Sequence, residues 1–344
     1  MEKAKLAVIG LNFGRNHAAY IAAGNVRGTL EAVADLNPDF QAMAGQWGTR
    51  FYTDYREMLG EVKPDGVLIA VPPKFHKDIA IDCMRAGAHV LVEKPITLTS
   101  EEADELIAEG KQTGKTILVG QHHRFDPSVQ MAKKRLDSGE LGQLIGFHIY
   151  GTLPKPPWYY GQDYKKRRSL GGGTVANNGI HDVDRIRYLF GDIESVFAMK
   201  GNAYRHFEVE DTAAVAIKCR NGVVGTYYIS DCSHPISEYT DCYFAEKGSI
   251  RLKCSSFYAQ AGFHTYQECS LSEGFDYRER ERTLQTVQIP VQNNHGKEVE
   301  HFCAVILDGE EPRTSGEDGK KSMEAMNAIV ESLDTGKPVY LNED

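Results

Sequence analysis

The 344-residue chain is long enough for two domains, and 41% hydrophobic with 25% charged residues marks an ordinary globular composition. A formal net charge of −9 argues against a phosphate-backbone partner, so no nucleic acid is expected. Seven cysteines, an odd number with no C-x-x-C pair, argue against a disulfide framework and against a zinc site, and for a reducing compartment.

The chain runs almost directly into Leu6-Ala7-Val8-Ile9-Gly10, leaving too little before it for a signal-peptide core. No apolar run approaches the ~20 residues of a membrane span. A cytoplasmic address with no membrane partner is the expectation.

Strand and helix patterns alternate over the first 120 or so residues. Lys5–Ile9 reads as a buried strand, followed by the turn Gly10–Gly14 and a helix from about Arg15 to Ala23. A second strand, Leu30–Ala34, is closed by Asp35. A helix around Pro38–Trp47, a short strand Phe51–Tyr52 and a helical turn Tyr55–Leu59 precede the apolar strand Gly66–Val71. Lys77–Ala86 is helical and stopped by Gly87. Val90–Val92, a helix at Ser100–Lys111 and a strand at Thr116–Gly120 complete the pattern. Strands alternating with ten-residue helices predict a doubly wound parallel sheet, a Rossmann-type α/β domain over residues 1–122.

The first strand–helix turn is where a dinucleotide pyrophosphate rests on backbone N–H groups. Here it departs from G-x-G-x-x-G, reading Gly10, Asn12, Phe13 and Gly14, with Asn12 expected to supply a positive φ in place of glycine. Asp35, 25 residues after Gly10, stands near the offset of a carboxylate on the adenosine ribose, which favours NAD over NADP. The alternative for Asp35 is a cap on the turn before Asn37-Pro38. Val71 and Pro72 end the next strand and hold its backbone open beneath a cofactor. His76 reads equally as a cofactor contact or as the cap of the following helix. Glu93-Lys94-Pro95 closes the Val90–Val92 strand, with Lys94 held out of helical geometry by the proline.

The segments V-I-G-L-N-F-G-R-N-H, I-A-V-P-P-K-F-H and V-L-V-E-K-P resemble the glucose–fructose oxidoreductase / inositol dehydrogenase family (Gfo/Idh/MocA). The resemblance continues through Gln121–Pro127, Ser138–Gly142, Gly171–Gly191, Val209–Thr212 and Ser332–Val339, nearly the whole chain. It implies a second, α+β domain over residues 123–344 with an open, mostly antiparallel sheet, C-terminal helices packing back on the body, and assembly into a homodimer or homotetramer. Leu144–Tyr150, Val196–Gly201, Thr212–Lys218, Val223–Ser230 and Tyr239–Ala245 read as its strands, with Asn221-Gly222 as a hairpin signal. Lys297–Ile306 and Lys320–Leu333 read as helices.

Gly171-Gly-Gly173 leads into an amphipathic helix stopped by Gly191, on which Asn177, His181 and Asp184 share one face at i, i+4 and i+7. By the resemblance Lys94 and His181 are catalytic, with His181 as the general base for an alcohol and Lys94 steadying the oxygen. Asn177 stands where dehydrogenases of the family typically carry an aspartate. It can orient His181 but cannot stabilise an imidazolium as a carboxylate does.

Arg124 and Asp184 are candidate substrate contacts. So are Tyr159 and Arg168 in the proline- and aromatic-rich stretch Leu153–Leu170, where rings stack on sugars and basic groups hold a carboxylate or phosphate. A solvated basic loop or an oligomer contact fits that stretch as well. The resemblance implies an NAD-dependent oxidoreductase acting on a secondary alcohol or ketone of a sugar, cyclitol or related polyol. The alternatives are a non-net-redox enzyme (epimerisation, elimination or glycoside cleavage through transient oxidation) and a non-catalytic nucleotide-binding regulator.

Overall fold

Apolar runs bounded by glycine, proline or asparagine become the strands of the first of two compact units. The structure, a computed structural model, describes residues 2–342 apart from 162, 169–171, 203, 234–236, 255–261 and 272–281. Gly171 of the glycine-rich lead and part of the Leu153–Leu170 stretch therefore lie outside the described residues.

In chain order come β1 (Ala4–Ile9), α1 (Leu11–Ala22), β2 (Gly28–Ala34), α2 (Gln41–Gln46), β3 (Arg50–Tyr52), α3 (Tyr55–Val62) and β4 (Gly66–Ile69). They are followed by α4 (His76–Arg85), β5 (His89–Val92), α5 (Ser100–Thr113) and β6 (Ile117–Val119). The six strands are parallel in the order β3-β2-β1-β4-β5-β6. That order reverses between β1 and β4, the place where doubly wound folds hold a ligand at their carboxyl ends. All of Gly66–Ile69 is buried, as a strand covered on both faces requires. Thr99 caps α5 by accepting from Glu102 N–H, while the Glu102 carboxylate accepts from Leu98 N–H at 3.1 Å.

Helix α1 begins four residues earlier than its pattern suggests. Gly10, at φ 88°, makes the whole turn, so Leu11 already starts the helix. Asn12 consequently sits inside α1 and is not among the residues of positive φ, contrary to the expectation for it.

The second unit opens with α6 (Pro127–Asp137), whose start is fixed by Asp126 accepting from Ser128 N–H at 2.9 Å and by Pro127 in the first turn. Then come β7 (Leu144–Thr152), α7 (Ile180–Phe190), β8 (Ile193–Gly201), β9 (Thr212–Cys219), β10 (Val224–Ser230), β11 (Glu238–Ala245), β12 (Gly248–Cys254), β13 (Phe263–Leu271) and β14 (Arg282–Pro290). With β15 (Val339–Tyr340) they build one sheet in the order β14-β13-β12-β11-β7-β10-β9-β8-β15, antiparallel except between β7 and β10. Gly222, at φ 88°, turns the chain between β9 and β10 where Asn221-Gly222 signals a hairpin. Burial alternates along β9, with Ala213, Val215 and Ile217 inside and Ala214, Ala216 and Lys218 outside, so the sheet packs on one face.

Two long helices, α8 (Asn294–Asp308) and α9 (Gly316–Thr335), come between β14 and β15. The sequence boundary puts everything after residue 122 in the second domain, whereas Asn294–Met323 belongs to the first unit and Glu324–Asp344 to the second. The cause is apolar packing. Val299, Phe302, Cys303 and Val305 of α8 join the core formed by Leu6 and Val8 of β1 with Leu11, Ala18 and Ile21 of α1. A Cβ on Gly66 of β4 would lie 2.6 Å from Ile306 and 2.8 Å from the Phe302 ring, so α8 rides directly on the sheet. No helix among the described residues is long and apolar enough to cross a membrane.

Candidate functional site

At the switch point of the first sheet, the turn after β1 is built from absent side chains. A Cβ on Gly10 would meet the Ala70 carbonyl oxygen at 2.6 Å and Val71 Cγ1 at 2.9 Å, and one on Gly14 would meet Val8 Cγ1 at 2.8 Å. Glycine at both positions lets α1 press against β1 and the end of β4. Gly10 has no side chain with which to cap α1 and no acidic residue lies in its first turn, although Asp35 at the end of β2 takes the Leu11 N–H. The N–H groups that follow Leu11 and the positive dipole end therefore suit an anion. The site fits a dinucleotide pyrophosphate on these grounds.

Asp35 stands beside this turn. Its Oδ2 accepts from Leu11 N–H at 2.6 Å and its Oδ1 from Asn37 N–H at 2.9 Å. It thus ties β2's end to the start of α1 and caps the turn before Pro38, each oxygen keeping a second lone pair. Val71 and Pro72 follow β4, and Pro72 is the extended residue that starts a 3₁₀ turn over Pro73–Phe75. His76 is fully buried. Its Nδ1 lies 2.8 Å from the Pro95 carbonyl oxygen and its Nε2 2.9 Å from that of Val71. Burial lowers its pKa, against the pull of the two carbonyls toward the protonated ring. His76 therefore staples the end of β4 to the Lys94-Pro95 turn.

Glu93, at the end of β5, is buried and receives His17 Nε2 at 2.9 Å. Burial pushes its pKa up, but the His17 hydrogen bond and nearby positive charge outweigh it, leaving the carboxyl below its usual value. Lys94 follows, with a cis Lys94-Pro95 bond. Phe13, partly exposed, stands 5.5 Å from the His17 ring and 5.4 Å from that of His295, which stacks on His122 at 3.9 Å. Burial and His17 depress His295 to about 4.

In the second unit, α7 is preceded by a π-helical turn over Val175–Gly179. The wider turn changes the helical phase between Asn177 and His181, so the straight-helix face expected for Asn177, His181 and Asp184 is replaced by a stepped one. Asn177 lies in the π turn and its Nδ2 donates to the Gly173 carbonyl at 3.0 Å, a bond an aspartate cannot make. Glu210 accepts from Val175 N–H at 3.1 Å and secures the entry to that turn. His181 is buried on the first turn of α7, its ring 4.9 Å from His123.

Behind His181 lies a fully buried ionic cluster. Arg185 contacts Asp182 at 2.9 Å, Asp241 at 2.9 Å and His123 Nδ1 at 2.9 Å, while Tyr227 donates to Asp182 and Tyr243 to Asp241, each at 2.8 Å. Burial, opposed by Arg185 and Tyr227, raises Asp182 to about 6.

The four candidate substrate contacts are engaged within the unit. Arg124 and Asp184 form a bidentate pair at 2.8 and 2.7 Å, both buried, so each answers the other's charge. Arg168 reaches Glu210 at 2.6 Å and Asp334 at 3.2 Å. Tyr159 carries Lys165 Nζ 3.4 Å above its ring, and its neighbour Tyr160 donates to buried Asp231 at 2.6 Å. Trp158 is exposed, at 78%.

Sequence reasoning misses His123, Asp231, Asp241 and His295, because Arg185, Tyr160 and His122, against which they pack, lie tens to hundreds of positions away. Glu210-Asp211, within Val209–Thr212, is the one signal that points toward the π turn.

Residues 4–121 match the model of an oxidoreductase family described as an NAD-binding Rossmann fold, and residues 129–251 match the GFO/IDH/MocA C-terminal domain. The chain is 27% identical to a myo-inositol 2-dehydrogenase of Thermotoga maritima, over 98% of this chain and 99% of that one. It is 29% identical to an inositol 2-dehydrogenase of Rhizobium meliloti, over 93% of each. Among solved structures it resembles the WlbA dehydrogenase from Bordetella pertussis, crystallised with NADH and UDP-GlcNAcA, with a TM-score of 0.85 at 24% identity over the whole of both chains.

Proposed function

Since the chain belongs to the GFO/IDH/MocA family of NAD-binding oxidoreductases, we propose that it oxidises a secondary alcohol of a sugar, cyclitol or related polyol, or reduces the matching ketone. The observation that carries this reading is the tight glycine turn into α1 at the switch point of a 3-2-1-4-5-6 sheet, with Glu93-Lys94 at the end of β5. The inositol dehydrogenases it is similar to support the substrate class.

NAD, when bound, supplies the hydride acceptor. Gly10, Phe13, Gly14, Asp35, Val71, Pro72 and Glu93 would hold it, Asp35 favouring a free ribose hydroxyl over a phosphate. In this reading His181 accepts the hydroxyl proton at a ring nitrogen, and the role of Lys94 is to donate a hydrogen bond to a substrate oxygen as its charge grows. Asn177 acts as a positioning residue by bracing the turn that leads into His181.

Self-association into a homodimer or homotetramer is part of the same reading. The strand register places Phe197, Met199, Val224 and Phe244 on one solvent-facing side of the second sheet, with Tyr150 and Tyr228 stacked between them at 5.4 Å. Several exposed apolar side chains gathered on one sheet face suit a second copy.

The test is an NAD-linked activity screen over inositols, sugars, sugar acids and sugar phosphates, repeated with Lys94→Ala and His181→Ala. Turnover on a polyol that falls about a hundredfold or more in each variant is expected. Full turnover in Lys94→Ala overturns that lysine's role. Intact NAD binding with no turnover on any compound overturns the dehydrogenase reading.

A further inference from the structure

Three side chains from distant parts of the first unit converge beside the Lys94 turn: His17 on α1, Glu93 at the end of β5 and His295 in the first turn of α8. One ligand atom from each can be chosen so that all three lie within 4.8 Å of one another. We propose that His17, Glu93 and His295 form a binding site for a divalent transition-metal ion of the zinc class.

Ligand chemistry selects the ion. Two imidazoles and one carboxylate are the donor set of three-ligand zinc sites that leave a fourth position to water, whereas magnesium and calcium favour all-oxygen shells. Besides the His17 Nε2 that faces Glu93, the cluster keeps capacity to bind at His295, whose buried Nδ1 has no hydrogen-bond partner among the described residues. Such orphaned nitrogens are uncommon in buried positions. The third observation is rigidity. Helix α8 approaches α1 so closely that a Cβ on Gly296 would enter the Tyr20 ring, which fixes the neighbouring His295 against His17 at a ring separation of 5.7 Å.

Coordination replaces the His17–Glu93 hydrogen bond. The Nε2 lone pair and one Glu93 oxygen turn to the ion, and the ring proton moves to Nδ1. Nothing is oxidised or reduced. The ion adds positive charge one residue from Lys94 and clamps α1, β5 and α8 together. The sequence expectation of no metal site rests on cysteine spacing, which cannot register ligands at positions 17, 93 and 295.

The experiment is titration of the metal-free full chain with Co²⁺ alone, followed by visible absorption and thermal melting. One equivalent giving intense four-coordinate ligand-field bands and a raised melting temperature is expected. Loss of a second-shell partner costs about 10–100-fold in metal affinity, so His295→Phe, which keeps a ring on His122, is expected to weaken binding about a hundredfold or more. His148→Ala, on the exposed face of β7, leaves it unchanged. Equal Co²⁺ affinity in wild type and His295→Phe overturns the site, as does the absence of a one-equivalent binding phase. Should His295→Phe melt prematurely, X-ray absorption of the wild-type Co²⁺ form decides. Two imidazoles with an oxygen ligand uphold the site, and sulfur in the first shell overturns it.

Discussion

Replacing Gly10 by alanine tests the turn on which cofactor binding depends. Two costs are separable in the structure. At φ 88° the backbone lies where an L-residue is strained by about 1–2 kcal/mol. The new methyl would also stand 2.6 Å from the Ala70 carbonyl oxygen, 2.8 Å from its carbon and 2.9 Å from Val71 Cγ1. Two of those three atoms are backbone at the end of a buried strand and cannot swing aside. Overpacking of this kind costs about 1–3 kcal/mol.

The variant is therefore expected to lose about 3.5 kcal/mol, the middle of the summed range. NAD affinity should fall about tenfold or more, corresponding to at least about 1.4 kcal/mol at the displaced N-terminus of α1. Gly24→Ala is the internal control. It has φ 76° but nothing within 4 Å of its Cβ, so it carries the strain alone. Its expected cost is about 1 kcal/mol with unchanged NAD affinity. Urea unfolding and calorimetric NAD titration of both variants give the comparison. Equal destabilisation and equal NAD binding in the two would refute the argument that the Ala70–Val71 backbone shapes this cradle.

Arg185→Met should lower the unfolding free energy by about 3–5 kcal/mol, because it leaves Asp182 and Asp241 buried without their guanidinium. A loss below about 1 kcal/mol in urea unfolding contradicts that assignment. Asp35→Ser should shift the ratio of kcat/KM for NAD over NADP toward NADP by about tenfold or more, since the carboxylate that opposes a 2′-phosphate is gone. An unchanged ratio means the carboxylate acts only through its bonds to Leu11 and Asn37.

His89 should titrate below the usual histidine range. Burial and Lys115 lower its pKa, and its Nδ1 accepts Thr116 N–H at 3.1 Å, which a protonated ring cannot do. The unfolded ring protonates first as pH falls. This residue's contribution is therefore complete above about pH 6.5 and is lost progressively below it, down to the folded pKa. NMR titration checks the pKa, and His89→Asn, whose Oδ1 can take over the acceptor role, should flatten the acid limb relative to wild type.

What was legible in the sequence followed from local chemistry. Alternating apolar runs gave the parallel sheet, and Asn221-Gly222 gave a hairpin because its turn type depends on those two residues. Gly10 marks the turn after β1, but the helix starts earlier than its pattern because a single glycine can make a turn that the fingerprint spreads over five positions. The Asp126-Pro127 start signal of α6 was available, whereas β12–β14 lie among polar and aromatic residues with weaker patterning.

The candidate site was harder, for a different reason. The Arg124–Asp184 pair joins positions 60 apart, and Arg168 answers Glu210 across 42. A charged residue in a motif offers the same letter whether it holds a substrate or a neighbour. The π turn ahead of His181 has no one-residue signature, and Asn177 reads as an altered catalytic partner until its amide is seen bonding to Gly173.

The placement of α8 has a consequence for the order of events during synthesis. The first unit draws its β-strands from positions 4–119 but closes its core with Val299, Phe302 and Cys303. A nascent chain can therefore form the nucleotide-binding sheet early, yet must leave its α1-facing apolar surface uncovered until nearly nine-tenths of the polypeptide has emerged from the ribosome. For the same reason, an expressed fragment ending at residue 122 would present that surface to solvent. A permuted gene that joins residues 294–323 directly to the nucleotide-binding segment is the shorter route to an autonomous domain.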